Sequence, residues 1–248
     1  MSKYSLAKRF VQSVPGLREG LAGAYRKLPT SLSPIVYDMM RKTIFRDNLN
    51  RLPVFEASFS EVLRSSEIGD YLEFGVARGT SMIAAYKIAT GDSRFKDMKF
   101  HAFDSFMGLP SSEGTFIEGD MSYPENIFKD FCRKAGVDLG RVTTTEGFFN
   151  ESLSPEVLGH LGVNATSANI FHIDCDLYES TVDVLASIKG HLGLHSVIIF
   201  DDWFSFEEED YSWGFGEKRA FSEWSERDKF EPLAITYPWN AAFIKVRN

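Results

Sequence analysis

Four aspartates arrive in two pairs, each at the abrupt end of an apolar run. The first run, Ala168-Asn169-Ile170-Phe171-His172-Ile173, stops at Asp174-Cys175-Asp176, and the second, Ser196-Val197-Ile198-Ile199-Phe200, stops at Asp201-Asp202. Short apolar runs bounded in this way predict buried strands of a parallel sheet. Ligands of such sheets bind beyond the carboxyl ends of the strands, so all four acids point at one region. On neighbouring strands, roughly 5 Å apart, they repel one another unless something positive sits among them. A hard divalent cation with oxygen ligands, such as Mg²⁺, meets that need. Acids at strand ends also cap helices, as Asp176 could for a helix over 178–189 and Asp202 could locally. Two pairs on adjacent strand ends favour the metal. His172, inside its apolar run, reads as a buried, hydrogen-bonded histidine rather than a ligand.

The second constellation is Gly69-Asp70-Tyr71-Leu72-Glu73-Phe74-Gly75-Val76-Ala77-Arg78-Gly79-Thr80-Ser81. A strand, two glycines four residues apart and a helix over 82–89 bring bare backbone up to a ligand. The G-x-G-x-x-G of a dinucleotide site is absent. Glu-x-Gly-x-x-x-Gly suits a ligand with a cationic head, and S-adenosylmethionine is the obvious candidate. Glu73, read as the strand tip, is expected to be exposed or to face that ligand, with Phe74, Gly75, Gly79, Thr80 and Ser81 around it. A second strand ends at Asp104-Ser105-Phe106, where Asp104 is placed to hold a ribose hydroxyl pair and Ser105 and Phe106 adjoin the cofactor. A third ends at Glu146-Gly147-Phe148-Phe149. Gly147 and Phe148 can lie beside an adenine, while ordinary core remains open for both phenylalanines.

The elements that must position these residues follow from periodicity. Helices are predicted over 5–14, 17–27, 35–45 and 52–65, with no strand among them, so residues 1–68 read as an N-terminal helical cap. Strands are predicted at 70–74, 99–103, 141–145, 168–173, 196–200, 232–236 and 241–246, with helices between the first five and another at 216–226. Only Tyr237-Pro238-Trp239-Asn240 separates the last two strands, which predicts an antiparallel hairpin. Residues 69–248 then form a Rossmann-like α/β domain with a seven-stranded, mostly parallel sheet and one reversed edge, the layout of class I methyltransferases. The 248 residues suffice for one such domain. A net charge of −8 argues against a broad nucleic-acid or anionic-membrane footprint. Two cysteines, Cys132 and Cys175, form no disulfide framework and fit a reducing cytosol. Residues 1–14 lack an uninterrupted apolar core, and no run reaches the length of a membrane span, so a cytoplasmic protein is expected.

Taken together, Leu72-Glu73-Phe74-Gly75-Val76-Ala77-Arg78-Gly79, Phe103-Asp104-Ser105-Phe106-x-Gly108-Leu109-Pro110, Ile173-Asp174-x-Asp176-Leu177-Tyr178 and Asp201-Asp202-Trp203 resemble the macrocin O-methyltransferase family. The likeness runs from about Arg41 onward. It implies an S-adenosylmethionine- and Mg²⁺-dependent enzyme that methylates sugar hydroxyls of glycosides and natural products, with a homo-oligomer as a further expectation. It also implies that Asp174, Asp201 and Asp202 bind the metal, that Asp176 is the general base, and that Glu73, Gly75 and Asp104, with Asp174 beside them, meet the cofactor. Ala77 stands where the family usually has tryptophan and Thr80 where it has glycine. The stretch after Asp202 is longer and richer in aromatics and acids than the family's, so the acceptor can differ. Three other readings stand beside this one: a catechol-type metal-dependent O-methyltransferase, a glycosyltransferase using Asp174-x-Asp176 for a nucleotide-sugar diphosphate, and a non-catalytic S-adenosylmethionine-binding protein.

Overall fold

The computed structural model describes residues 50–114, 116–204, 216–237 and 240–247. The predicted helices over 5–14, 17–27 and 35–45, the stretch 205–215 and the hairpin tip at 238–239 lie outside them.

Seven strands form one sheet: β1 (Ile68–Phe74), β2 (Phe100–Asp104), β3 (Val142–Glu146), β4 (Ala168–Ile173), β5 (Val197–Phe200), β6 (Phe230–Thr236) and β7 (Asn240–Lys245), in the order β3-β2-β1-β4-β5-β7-β6. The first five are mutually parallel. β4 and β5 are buried along their whole length, as unbroken apolar runs in a parallel sheet must be. The expected C-terminal hairpin is present, but its reversed strand is not at the edge. β7 runs antiparallel to both β5 and β6 and lies between them. The exposure pattern explains this: β7 is buried except at Ile244, whereas β6 exposes Glu231, Pro232 and Ile235 and carries a register shift between Pro232 and Ala234. A strand with an interior proline belongs at an edge.

Helices cover the sheet: α1 (Leu52–Val62), α2 (Thr80–Thr90), α3 (Glu125–Lys134), the short α4 (Phe149–Ser152) and α5 (Pro155–His160), α6 (Tyr178–Ile188) and α7 (Gly216–Glu223). None among the described residues is long and apolar enough to cross a membrane. α1 starts with proline in its first turn, where the missing N–H is no loss. It buries Val54, Phe55, Phe59 and Val62; Phe55 meets the His172 ring edge-on at 5.2 Å and Phe59 stacks on Tyr71 at 6.3 Å. The residue just before α1 is thereby held over the carboxyl ends of β4 and β5.

Strand order reverses between β1 and β4: β2 and β3 lie on one side, β5 on the other. An open α/β sheet has its crevice at such a switch point. Both constellations read from the sequence empty into it.

Candidate active site

At the switch point the loops leaving β1 and β4 touch. Gly75 has φ +89°, and a Cβ there would lie 1.9 Å from the carbonyl oxygen of Asp174. Only glycine tolerates both the left-handed backbone and that approach. The Asp174 N–H donates to the Phe74 carbonyl at 2.9 Å, which closes the contact. Gly79, φ +80°, caps α2 and makes room for the Phe128 ring of α3, which a Cβ would meet at 2.8 Å. Thr80 and Ser81 begin α2 beyond it.

Asp104 organises the turn from the end of β2. Its Oδ2 accepts the N–H groups of Val76 and Ala77 at 2.8 and 2.9 Å, and its Oδ1 accepts that of Phe106 at 2.7 Å. Ala77 and Phe106 are both left-handed, at φ +43° and +54°. One carboxylate therefore holds two strained backbone sites. Burial raises the pKa of Asp104, and the three amides only partly reverse that. Ser105 donates to the Gly108 carbonyl at 2.8 Å, and Phe106 packs on Phe128 at 6.1 Å. The Gly147 N–H donates to the Asp104 carbonyl at 3.0 Å. Phe149 joins the core against Phe74 at 6.2 Å, while Phe148 stands half-buried before α4.

Two side chains are more enclosed than expected. Glu73, one residue before the end of β1, is not exposed: it is fully buried, accepts from Ser81 Oγ at 2.6 Å and from Tyr71 OH at 2.7 Å, and has His172 Nδ1 at 3.4 Å. The Phe74 side chain is core, stacked on Phe103 at 4.9 Å. In a parallel strand covered on both faces, every side chain of the run is enclosed, Glu73 included.

Asp174 and Asp201 come together at the switch point, and a cation comes with them. The Arg51 guanidinium forms a two-pronged pair with Asp201, Nε to Oδ1 and Nη2 to Oδ2, and its Nη2 also reaches Asp174 Oδ2 at 3.5 Å. Asn240 Nδ2 donates to Asp201 Oδ1 at 2.6 Å. His172 meets Tyr71 OH through Nδ1 at 2.9 Å and faces Asp201 Oδ1 through Nε2 at 3.5 Å. His172, Asp174 and Asp201 each bring a donor atom within 4.8 Å of the others, so the histidine set aside on sequence stands inside the cluster. A fifth carboxylate, Glu217 of α7, is fully buried; its Oε2 accepts the Asp202 N–H at 2.9 Å, and its Oε1 has no partner among the described residues.

Electrostatics follow from this crowding. Burial alone would raise Asp201, but Arg51 and His172 hold it well below the usual carboxylate range. Burial favours neutral His172, yet Asp201 and Glu73 push its pKa up to about 10. Burial raises Asp174, and Asp201 repels it further, with Arg51 and His172 only partly offsetting this. Asp176 is raised by burial and by Asp202, with which it shares a side-chain hydrogen bond. Glu217 is raised by burial, then by Asp202, Asp174 and Asp201. Among the described residues the acids of this cluster outnumber the positive groups, and a hard cation with carboxylate ligands fits the donor set.

The capping alternative does not hold for Asp176. The residue before α6 is Leu177, with no side-chain cap, and Glu113 accepts the Tyr178 N–H at 2.8 Å instead. Asp176 is buried with φ +63°, a strained conformation of the kind that collects at functional sites.

Residues 48–214 match the sequence profile of the macrocin O-methyltransferase (TylF) family. The chain belongs to that family. It is 28% identical over 169 residues to a Streptomyces olivaceus protein, 8-demethyl-8-(2,3-dimethoxy-alpha-L-rhamnosyl)-tetracenomycin-C 4'-O-methyltransferase, covering 62% of this chain and 60% of that protein's length. Among solved structures, the O-methyltransferase NovP superposes with TM-score 0.60 at 21% identity, over 80% of this chain and 81% of its own. Calicheamicin methyltransferase CalS11 does so with TM-score 0.60 at 20% identity, over 94% and 93%. These likenesses place the fold among class I methyltransferases. The four motifs quoted from the sequence do not include Arg51, Glu113, Glu217 or Asn240, all of which the structure adds to the cluster or its supports. The only trace of a basic partner in the sequence is the need of four acids for positive charge.

Proposed function

We propose that this protein transfers the methyl group of S-adenosylmethionine to a hydroxyl of a sugar or glycoside, with a hard divalent cation such as Mg²⁺ at Asp174, Asp201 and Asp202. The observation that carries the reading is the backbone contact between Gly75 and Asp174. It sets the glycine turn suited to the methyl donor directly against the acids suited to the acceptor. Family membership supports it, as does a relative named for methylating a rhamnosyl group. When bound, the cation supplies Lewis acidity that makes a hydroxyl easier to deprotonate. Asp176 takes the proton. A free aspartate, with a pKa of about 3.9, is a weak base; burial and Asp202 raise this one, which makes its carboxylate a stronger base. Asp104 and Gly147 shape the ribose and adenine side. No observation favours the catechol, nucleotide-sugar or non-catalytic readings over this one.

The test combines calorimetric binding of S-adenosylhomocysteine with labelled methyl transfer to a panel of glycosides, with and without EDTA. Wild type, Asp176→Asn and Asp201→Ala should all bind S-adenosylhomocysteine. Asp201→Ala should lose cation binding and turnover together, whereas Asp176→Asn should keep the cation and lose about 10²–10⁴-fold in kcat. Full turnover in Asp176→Asn removes the base assignment, and a wild type that ignores S-adenosylhomocysteine sinks the reading.

A further inference from the structure

We infer that Arg51 is a built-in competitor for the cation site: its guanidinium seats on Asp201 and Asp174 when no metal is bound and must leave when one enters, so it sets the site's cation affinity. The inference rests on the divalent-cation reading above and concerns a residue outside the four motifs quoted from the sequence.

An ionised carboxylate offers about four acceptor directions. On Asp201, Arg51 takes one at each oxygen and Asn240 takes another at Oδ1. The Arg51 Nη2 that holds Asp201 Oδ2 also lies 3.5 Å from Asp174 Oδ2, so the guanidinium fills the space between the two carboxylates proposed to hold the cation. A small hard cation bonds oxygen at roughly 2.0–2.1 Å, and a guanidinium on the same two oxygens would lie against it with like charge. The two occupants are therefore mutually exclusive.

Of the groups around Asp201, Arg51 is the one that can yield. Its side chain is 18% exposed, whereas the side chain of His172 and the whole of Asn240 are at most 1% exposed. Its backbone precedes α1, whose buried residues begin at Val54, so the Arg51 side chain is not part of the packed face of that helix. The planar fork matters too. Arginine meets a carboxylate in two parallel bonds, which a lysine ammonium cannot do.

Competition of this kind lowers apparent affinity by the fraction of time the site is open. If Arg51 occupies it about nine-tenths of the time, removing the guanidinium tightens cation binding about tenfold. The experiment is calorimetric titration of Mg²⁺, and separately Mn²⁺, into cation-free wild type, Arg51→Gln and Arg51→Lys. S-Adenosylhomocysteine is titrated in parallel, and melting temperature is recorded with and without cation. The expected result is a cation Kd about tenfold lower in Arg51→Gln and intermediate in Arg51→Lys. Arg51→Gln should also melt lower than wild type without cation and recover more when cation is added. Should Arg51→Gln fail to fold, Arg51→Lys, which keeps the charge but not the fork, decides by the same Kd comparison. Unchanged or weaker cation binding in the variants overturns the inference. So does S-adenosylhomocysteine binding by all three proteins with no cation binding by any. Loss of S-adenosylhomocysteine binding by wild type strikes the methyltransferase reading instead.

Discussion

Asp104 shows how one side chain serves a site through the backbone. Its carboxylate accepts from Val76, Ala77 and Phe106, two of them left-handed without being glycine. Asp104→Asn replaces one acceptor oxygen with an NH₂ that opposes at least one of those N–H groups. The expected cost is about 1–3 kcal/mol in urea unfolding, together with weaker S-adenosylhomocysteine binding; an unchanged midpoint and Kd would count against the role. The acids were legible at this scale because type and place coincide: Asp174 and Asp201 follow directly on buried runs, with Asp176 and Asp202 just beyond them. Arg51 was not, since it meets a partner 150 positions away and lies in no periodic pattern that marks it. Glu217 was hidden for the same reason, and Glu73 because an acid in a strand buried on both faces looks in sequence like an acid at a strand end.

The loop after β2 acts as a clasp between elements. Glu113 accepts the Tyr178 N–H at the start of α6 at 2.8 Å and the Gly216 N–H at the start of α7 at 2.6 Å. Leu109 and Phe116 pack on Leu177 beside it. The loop thereby fixes both segments that carry acids, Asp176 just before α6 and Glu217 in α7. Glu113→Ala removes an acceptor from two helix starts and should cost about 1–2 kcal/mol in thermal or urea unfolding. Glu113→Gln, which keeps an acceptor oxygen, should recover part of that. If neither variant shifts the midpoint, the clasp does not hold the helices. Strand positions were readable to within about two residues because each apolar run is sharply bounded. The insertion of β7 between β5 and β6 was not, since a hairpin's local pattern is the same whichever arm faces the sheet.

At the scale of the whole molecule, the reversal of strand order gathers elements from residue 51 to residue 240 around one crevice. Cys132 sits behind that crevice, where a Cβ on Gly79 would lie 3.4 Å from its sulfur. Burial, with Glu73 adding to it, pushes the Cys132 thiol up to about 12, and burial raises Cys175 as well. Both thiols should therefore react with an exposed-thiol reagent at pH 8 at least about 10³-fold more slowly in the native protein than in urea. S-Adenosylhomocysteine should slow Cys132 further by holding the turn in front of it. Prompt labelling of the native protein would show that the turn is not closed over the sulfur. The rim of the sheet has a different consequence. Among the described residues no strand pairs with the outer side of β6, and an unbroken row of N–H and C=O groups there would template strand addition. Pro232 brings no N–H, Glu231 brings charge, and the register shift before Ala234 interrupts the row. A second chain finds no continuous ladder to extend, so this border is defended against edge-to-edge aggregation.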